Sequence, residues 1–386
     1  MRPLVSVVIA THNRATILGE ALSSVYAQEG QGDLFDLEVI VVDDASSDGT
    51  YAVAARYPAT YIKHDVNRGV AAALNTGIGV SRGAYVGFLG DDDLWLPGKL
   101  RVEVPVLEAH PDVGLVYSSH VLEGRETEEE WTIGPSGHVF EQLLMGDFVS
   151  VITVLVRRSA LIEVGGFDPL TSGAEDYDLW LRLAHHFRFQ FVPGPVAVYR
   201  PSPSGLLTTT IASGASRELR RRVISRALAL VPDLSPEAVQ KVIDQMEFNS
   251  AKFLSLLPSR IALPQMLAHL SEYPRVARDR TTRERIAWKA REESVASTDP
   301  LHAAAAVCRR IEQALGDTRE ARCLIGAVWA EVVVGLLRKR CVGQGLRAAC
   351  EAIRYDFSGV VRRGFVSSGH AVRAVRLSRP LERFKE

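Results

Sequence analysis

The first 200 residues alternate short β-rich runs with segments of helical periodicity, and this alternation limits the fold more than any other feature. Residues 4–10 are almost entirely apolar, which is typical of a strand buried on both faces of a sheet. Between residues 17 and 25 apolar side chains recur every three or four positions, which indicates a helix. The pattern predicts an α/β fold with a Rossmann-like, mostly parallel sheet and flanking helices.

A change of composition near residue 205 divides the chain. Residues 201–205 are rich in Pro and Ser, and three threonines follow at 208–210. Beyond them β-rich runs are scarce, and Ala, Leu, Arg and Glu recur at helical spacing. We therefore predict an α/β domain over 1–205 and an α-helical domain of six to eight helices over 206–386. Further strands are expected at 37–42, 60–64, 84–89, 113–118, 151–156 and 189–192, and further helices at 50–57, 69–80 and 175–185.

The charge balance limits the partners. Forty-five Lys and Arg face 46 Asp and Glu, so bulk electrostatics does not favour nucleic acid. Residues 338–386 are locally basic, with 12 Lys and Arg against 4 Asp and Glu, and could contact an anionic membrane or pack on an acidic partner surface. The four cysteines have no CxxC spacing, which fits a reducing cytoplasm. No apolar run reaches the length of a membrane span.

Acidic residues stand where strands are predicted to end or a helix to begin: Asp43 and Asp44, the run 91–93, and Glu175 with Asp176. In an open α/β sheet the carboxyl ends of the strands form the ligand crevice. Three adjacent carboxylates repel one another unless a cation is present, and Mg²⁺ or Mn²⁺ prefers oxygen ligands. The alternatives are a solvated acidic turn at 91–93 and simple helix capping at 175 and 176.

Six segments in this order and spacing resemble the family 2 glycosyltransferases, inverting nucleotide-sugar enzymes of the GT-A fold. The resemblance covers residues 3–205, and we interpret these residues as the nucleotide-sugar-binding catalytic domain. The helical domain would serve acceptor, membrane-surface or oligomer contacts. The segments are VSVVIATHNR (5–14), LEVIVVDDASSDGT (37–50), NRGVAAALNTGI (67–78), GAYVGFLGDDDLWLPGKL (83–100), VGGFDP (164–169) and EDYDLWLRLA (175–184).

The resemblance also implies roles for single residues. Asp176 matches the catalytic base, and Asp92 the ligand of a divalent Mn²⁺ or Mg²⁺ cofactor, with Asp93 as an alternate ligand. Gly90 stands where many relatives have an aspartate, so the aspartate that contacts ribose is left open. Trp95 and Glu175 are candidates for the acceptor or sugar pocket. The residues implied in nucleotide binding are Ala10, His12, Asn13, Asp44 and Asp91.

The implied activity is a metal-dependent inverting transfer of one sugar from a nucleotide-diphospho-sugar, with UDP-sugars favoured. The acceptor would be a hydroxyl of a glycan or a lipid-linked glycan. No QxxRW stretch follows Asp176, which favours single addition over processive synthesis. We expect a cytoplasmic protein, with peripheral contact at the inner face of the cell membrane as an option. The alternatives are an inactive nucleotide-sugar-binding protein of the same fold and a dinucleotide-dependent oxidoreductase, although no GxGxxG follows the first strand.

Overall fold

The computed structural model describes residues 2–124, 134–200, 209–211, 213, 215–254, 259–316, 318–338, 344 and 348, without the side chains of 251–253, 259–261, 337 and 338. The chain divides into two compact units, Met1–Met246 and Glu247–Glu386. The breaker-rich stretch that marks the predicted boundary falls on 201–208 and lies outside the described residues. So does the basic segment after residue 338, apart from positions 344 and 348.

A mixed sheet forms the centre of the first unit. In the described part of the chain its order is β3-β2-β1-β4-β7-β6-β8-β5. Strands β1 to β4 pair in parallel, whereas β7 runs antiparallel to both β4 and β6. The α/β prediction is confirmed, with more antiparallel pairing than expected. The strands are β1 Leu4–Thr11, β2 Asp36–Asp43, β3 Thr60–Lys63, β4 Tyr85–Gly90, β5 Leu94–Trp95, β6 Val113–Leu122, β7 Leu155–Arg157 and β8 Arg188–Tyr199.

Helices cover both faces of this sheet, and the strands therefore bury both of theirs. Val8 belongs to one hydrophobic cluster and its neighbours Val7 and Ile9 to the other, as the two-residue period of a strand requires. A Cβ on Gly77 of α3 would lie 2.2 Å from Val8 Cγ1, so only glycine allows α3 to approach β1 this closely. The helices are α1 Leu18–Tyr26, α2 Thr50–Ala54, α3 Val70–Val80, α4 Lys99–Ala109, α5 Phe140–Met145, α6 Arg158–Val164, α7 Glu175–His186 and α8 Ala215–Ala229.

Two predicted strands differ from the structure. Residues 151–156 begin as a 3₁₀ turn, Val151–Thr153, and only Leu155–Arg157 forms a strand. The Thr153 hydroxyl donates to the carbonyl of Ser150 at 2.8 Å and helps to close that turn, a local bond that competes with pairing. The strand predicted at 189–192 extends to Tyr199. It passes Gly194, whose φ is +104°, with register shifts against β6.

The second unit is helical in its described residues, as predicted. Helix α9, Pro236–Leu254, ends in this unit, and α10 to α13 follow it. Two helices begin at aspartate caps, since Asp279 accepts from the Thr282 amide at 2.6 Å and Asp299 from the His302 amide at 3.1 Å. Among the described helices none combines the length and the apolar character needed to cross a bilayer. The further helices are α10 Ser259–Glu272, α11 Arg280–Ala296, α12 Pro300–Leu315 and α13 Arg319–Arg338.

Candidate active site

The run of aspartates lies at the carboxyl end of β4, in the middle of the sheet. Asp93 is buried, and its Oδ1 accepts a hydrogen bond from the Arg200 amide at 2.8 Å, which ties the run to the end of β8. A Cβ on Gly90 would lie 3.0 Å from Asp92 Oδ1 and 3.0 Å from Asp93 Oδ2. Two carboxylate oxygens therefore converge on a space that is open only because residue 90 is glycine.

The electrostatics of this run favour the binding of a cation. Burial, and after it the charge of Asp92, raises the pKa of Asp91 to about 6, against the opposing effect of Arg14. Burial, with the charges of Asp92 and Asp91, raises the pKa of Asp93 to about 7. Both carboxyl groups therefore hold their protons to higher pH than an exposed aspartate, because burial and mutual repulsion outweigh the hydrogen bonds and the charges of Arg14 and Arg200 that oppose them. A bound cation would reverse that preference.

The loop after β1 lies next to the loop after β2. The Asn13 amide donates to Ser46 Oγ at 2.8 Å, and Asn13 Oδ1 accepts from the Ser47 amide at 2.8 Å. Asn13 has a φ of +54°, which asparagine tolerates better than most residues. His12 Nδ1 donates to the carbonyl of Asp44 at 2.7 Å, so its Nε2 accepts from the Asn13 side chain at 3.0 Å. His12 is exposed, and with both nitrogens used it presents its ring face.

Asp44 is buried beneath this loop, and both of its carboxylate oxygens have internal donors. Oδ1 accepts from His64 Nδ1 at 2.7 Å and from the Arg68 amide at 2.9 Å. Oδ2 accepts from the amides of Arg68 at 3.0 Å and Gly69 at 2.7 Å, next to the start of α3. The contact predicted between Asp44 and a nucleotide base therefore stays a prediction, and it would require one of these bonds to be exchanged.

Asp176 lies in the first turn of α7 and lines a cavity of about 260 Å³. Burial is the largest cause that raises the pKa of Asp176, and the hydrogen bond from the Tyr177 amide to Asp176 Oδ1, at 2.8 Å, opposes it. Aromatic and polar residues both line the cavity. Besides Asp176 they include the aromatic residues Tyr117, Phe148 and Phe191 and the polar residues Ser118, Ser119, His120, Asp147 and Ser150.

Tyr199 interacts both with the run of aspartates and with a residue that lines this cavity. Burial, and after it the charges of Asp93 and Asp92, raises the pKa of Tyr199 at the end of β8. The Tyr199 ring lies 5.8 Å from the ring of His120, which in turn lines the cavity with Asp176. Strands β4 and β6 are both antiparallel to β7 and therefore run in the same direction. The aspartates that follow β4 and residues 117–120 of β6, which line the cavity together with Asp176, therefore lie toward the same edge of the sheet.

The structure places two predicted pocket residues elsewhere. Trp95 is only 2% exposed, lies in the hydrophobic core and donates from Nε1 to the carbonyl of Ile152 at 2.9 Å. The carboxylate of Glu175 turns back to accept from the Gly173 amide, and neither residue lines the cavity. A tryptophan after an acidic run and an acid beside the base suggest a pocket by sequence, but local packing directs both side chains away from it.

Asp147 and His120 are site residues that the sequence did not reveal. Asp147 lies between α5 and the turn at 151–153, with no strand end or motif to mark it. It reaches the cavity only through the packing of α5 and its following loop on α7. A buried acid after Gly146 gives too weak a signal to separate this residue from an ordinary loop aspartate.

The mixed sheet with its flanking helices has the architecture expected of a GT-A-type fold. Residues 6–165 match the family model described as glycosyl transferase family 2. A Haemophilus influenzae protein named as an uncharacterized glycosyltransferase is 26% identical over 187 residues, which are 47% of this chain and 62% of that protein. The chain spans about three fifths of the length of this and similar curated relatives.

Two further likenesses extend past the family segment. Protein MT1568 of Mycobacterium tuberculosis, which is uncharacterized, is 27% identical over 299 residues, with 70% of this chain and 88% of that protein covered. The crystal structure of Staphylococcus aureus TarS, residues 1–349, covers 92% of both chains with a TM-score of 0.52 at 14% identity. At that identity the likeness to TarS supports the fold alone.

Proposed function

We propose that the chain is an inverting, metal-dependent glycosyltransferase that moves one sugar from a nucleotide-diphospho-sugar to a hydroxyl group of a glycan or lipid-linked glycan. The observation that carries this proposal is the common edge of the sheet at which Asp92 and Asp93 converge and the cavity with Asp176 opens. A cation site beside a buried carboxylate suits a reaction with a departing diphosphate and an attacking hydroxyl.

Asp92 and Asp93 fit a hard divalent cation such as Mn²⁺ or Mg²⁺. Their oxygens converge beside Gly90, and nearby Asp91 adds negative charge. Within the described residues no group of three or more His, Cys, Asp or Glu side chains is arranged as a complete metal site. One or two protein carboxylates completed by substrate phosphates are the common arrangement for such cations. When bound, the cation would neutralise charge on the diphosphate as a Lewis acid.

Asp176 is proposed as the general base. The acceptor hydroxyl donates its proton to this carboxylate as its oxygen attacks the anomeric carbon, and the bond to the diphosphate breaks. The raised pKa of Asp176, caused mainly by burial, makes its carboxylate a stronger base than an exposed aspartate. The aromatic side chains of Tyr117, Phe148 and Phe191, which line the same cavity, can pack on the apolar faces of a sugar.

The presence of Asp147 in the same cavity makes stereochemistry a sharp test. A retaining enzyme that works by double displacement needs a second carboxylate as nucleophile. Burial and the charge of Asp176 raise the pKa of Asp147, and a protonated carboxyl is a poor nucleophile. We therefore expect inversion, to be measured by NMR of the product anomer. Retention of configuration would contradict this part of the proposal.

UDP-sugars are the proposed first donors, with dTDP- and GDP-sugars second. A thermal-shift panel of UDP, GDP, dTDP and NAD, each with and without Mn²⁺, tests the class of ligand. We expect stabilisation by a nucleoside diphosphate that requires Mn²⁺, since free energy of binding adds to stability. Stabilisation by NAD alone would instead support the oxidoreductase alternative.

The location in the cell is also a proposal. We infer a cytoplasmic protein whose basic residues after 338 contact anionic lipid, at up to about 1 kcal/mol for each basic residue near the surface. Flotation with anionic liposomes at low and high salt tests this inference. Salt-sensitive flotation is expected, and its absence would contradict the membrane contact without affecting the proposed transfer reaction.

A further inference from the structure

Asp147 is a second carboxyl group in the cavity that contains Asp176, and the proposed reaction assigns it no task. Its backbone is fixed against α7 by two hydrogen bonds. Tyr177 Oη donates to the carbonyl of Leu143 at 2.6 Å, and Trp180 Nε1 donates to the carbonyl of Val149 at 3.1 Å. The two acceptor carbonyls, of Leu143 and Val149, lie on either side of Asp147 in sequence, and both donors follow Asp176 on α7. These bonds hold its segment beside the first turn of that helix.

Each of the two carboxylates is oriented by one backbone amide. The Val149 amide donates to Asp147 Oδ1 at 3.2 Å, and the Tyr177 amide donates to Asp176 Oδ1 at 2.8 Å. Both side chains are partly buried and meet solvent through the cavity that they share. Two acids held in one small, partly dry space cannot both ionise as freely as they would in water.

The other charged groups around the pair come from each element packed on it. From α8, Arg220 lies with its guanidinium carbon 5.8 Å from the Tyr177 ring, and its charge lowers the pKa of both aspartates. From α7, Glu175 is a third carboxyl, and its own pKa is raised by burial and by Asp176. From β6, His120 has its pKa lowered by burial, which favours its neutral form. Among the groups named here, Arg220 supplies positive charge, whereas Asp147, Asp176 and Glu175 are acids.

We propose that Asp147 and Asp176, which line the same cavity, act as a coupled pair of acids, and that Asp147 is a positioning residue that favours protonation of the base. This inference rests on the proposed function for the role of Asp176, but not for the coupling itself. When Asp176 is ionised, its charge favours the protonated form of Asp147. The cavity then contains both an acceptor and a donor, which is the pair of partners that sugar hydroxyls can use.

The test is a carboxyl titration that requires neither donor nor acceptor. The full chain is labelled with ¹³C at aspartate carboxyls, freed of metal by a chelator, and followed by NMR from about pH 4 to about pH 9. The signals are assigned with the Asp147→Asn and Asp176→Asn variants. We expect the two signals to titrate together in two steps in the natural sequence. In Asp147→Asn we expect the titration of Asp176 to move to lower pH.

Glu141→Gln is the matched control, because it removes an exposed carboxylate from α5, next to the same segment. It should leave the titration of Asp176 unchanged. An Asp176 midpoint that is the same in Asp147→Asn as in the natural sequence would overturn the proposal. So would an equal shift in Glu141→Gln, since the effect would then be one of net charge and not of the pair.

Arg220 provides a test of opposite sign that does not depend on the folding of the Asp147 variant. Arg220→Gln should move both aspartate titrations to higher pH, whereas Arg220→Lys keeps the charge and should move them less. Unchanged titrations in Arg220→Gln would contradict the arrangement of charges described above.

In an active enzyme, Asp147→Asn should shift the acid limb of the kcat profile to lower pH without raising KM for the donor. Coupled titrations in a chain without transferase activity would reject the proposed function and leave the pair standing.

Discussion

Asp176, the proposed base at the start of α7, is the residue whose replacement should affect catalysis most. General-base assistance contributes about 10²–10⁴-fold, so Asp176→Asn should lower kcat by about that factor. KM for the donor should change little, because we propose that the diphosphate binds at the aspartates after β4 and not at Asp176. Steady-state transfer and donor calorimetry measure the two effects separately. Glu175→Gln is the control, because that carboxylate bonds to the Gly173 amide outside the cavity. A near-normal kcat in Asp176→Asn would place the base elsewhere.

The same residue predicts the direction of the pH dependence. The base acts as the ionised carboxylate, and burial raises the pKa of Asp176. The rate of transfer should therefore rise with pH through a midpoint above the range of an exposed aspartate, and fall as the solution is acidified. A pH profile of kcat at saturating metal measures this midpoint. A rate that is still maximal near pH 4 would contradict a buried base.

Gly90 should matter for metal binding although it is not a ligand. A methyl group at this position would meet oxygens of Asp92 and Asp93 at 3.0 Å and force them apart. We expect Gly90→Ala to weaken Mn²⁺ binding, and Asp92→Ala to abolish the Mn²⁺-dependent stabilisation by nucleotide with the fold retained. Manganese titration followed by calorimetry and circular dichroism tests both. Gly98→Ala is the control, since no atom lies within 4 Å of a Cβ there and the φ of −84° is ordinary.

Helix α4 contains a buried ion pair, and mutations of this pair should lower the free energy of unfolding more than substitutions at the exposed positions of the helix. Lys99 Nζ lies 2.6 Å from Glu103 Oε2, both side chains are fully buried, and Ser118 donates to the other oxygen at 3.0 Å. Lys99→Met leaves an unpaired buried carboxyl and should lower the free energy of unfolding by about 3–5 kcal/mol.

Urea unfolding of the single and double variants measures this effect. Replacing both members, in Lys99→Met with Glu103→Leu, should recover most of the loss, because a packed apolar pair often replaces a buried ion pair with little penalty. Arg101→Met is the matched control on the same helix. Its pair with Glu29 is more than half exposed, at 58% and 54%, and should contribute less than about 1 kcal/mol. A loss as large in Arg101→Met would contradict the account.

Individual helices and strands also show how much of this fold can be predicted from the sequence. The strands with nearly continuous apolar runs, such as residues 4–10, and the helix at 175–185 are predicted from their local hydrophobic patterns, and the structure confirms them. The 3₁₀ turn at 151–153 depends on a serine carbonyl and a threonine hydroxyl, which no hydrophobic period encodes. The candidate site could likewise be predicted only in part. Acids at strand ends are visible in the sequence, whereas the place of Asp147 in the cavity depends on the packing of α5 and its following loop against α7.

For the whole molecule, the aspartates after β4 should make the stability of the metal-free protein depend on pH. The pKa values of Asp91 and Asp93, about 6 and about 7, are raised above those of an unfolded chain. Between the ordinary aspartate range and pH 7 the folded state therefore binds more protons than the unfolded state, and stability falls as pH rises. Denaturant unfolding with chelator should show a flatter pH dependence in Asp91→Asn with Asp93→Asn. An unchanged slope would contradict the assigned electrostatics.

The central claim, that this molecule transfers a sugar from a nucleotide-diphospho-sugar, is tested most directly by the release of nucleoside diphosphate. The full chain is incubated with a panel of UDP-, GDP- and dTDP-sugars and Mn²⁺, with a panel of glycans as acceptors, and the Asp176→Asn variant is measured in parallel. We predict release from one donor class that requires Mn²⁺, is increased by an acceptor and falls about 10²–10⁴-fold in the variant. Mn²⁺-dependent binding of a donor with no release under any condition would contradict the claim and indicate a binding protein of this fold.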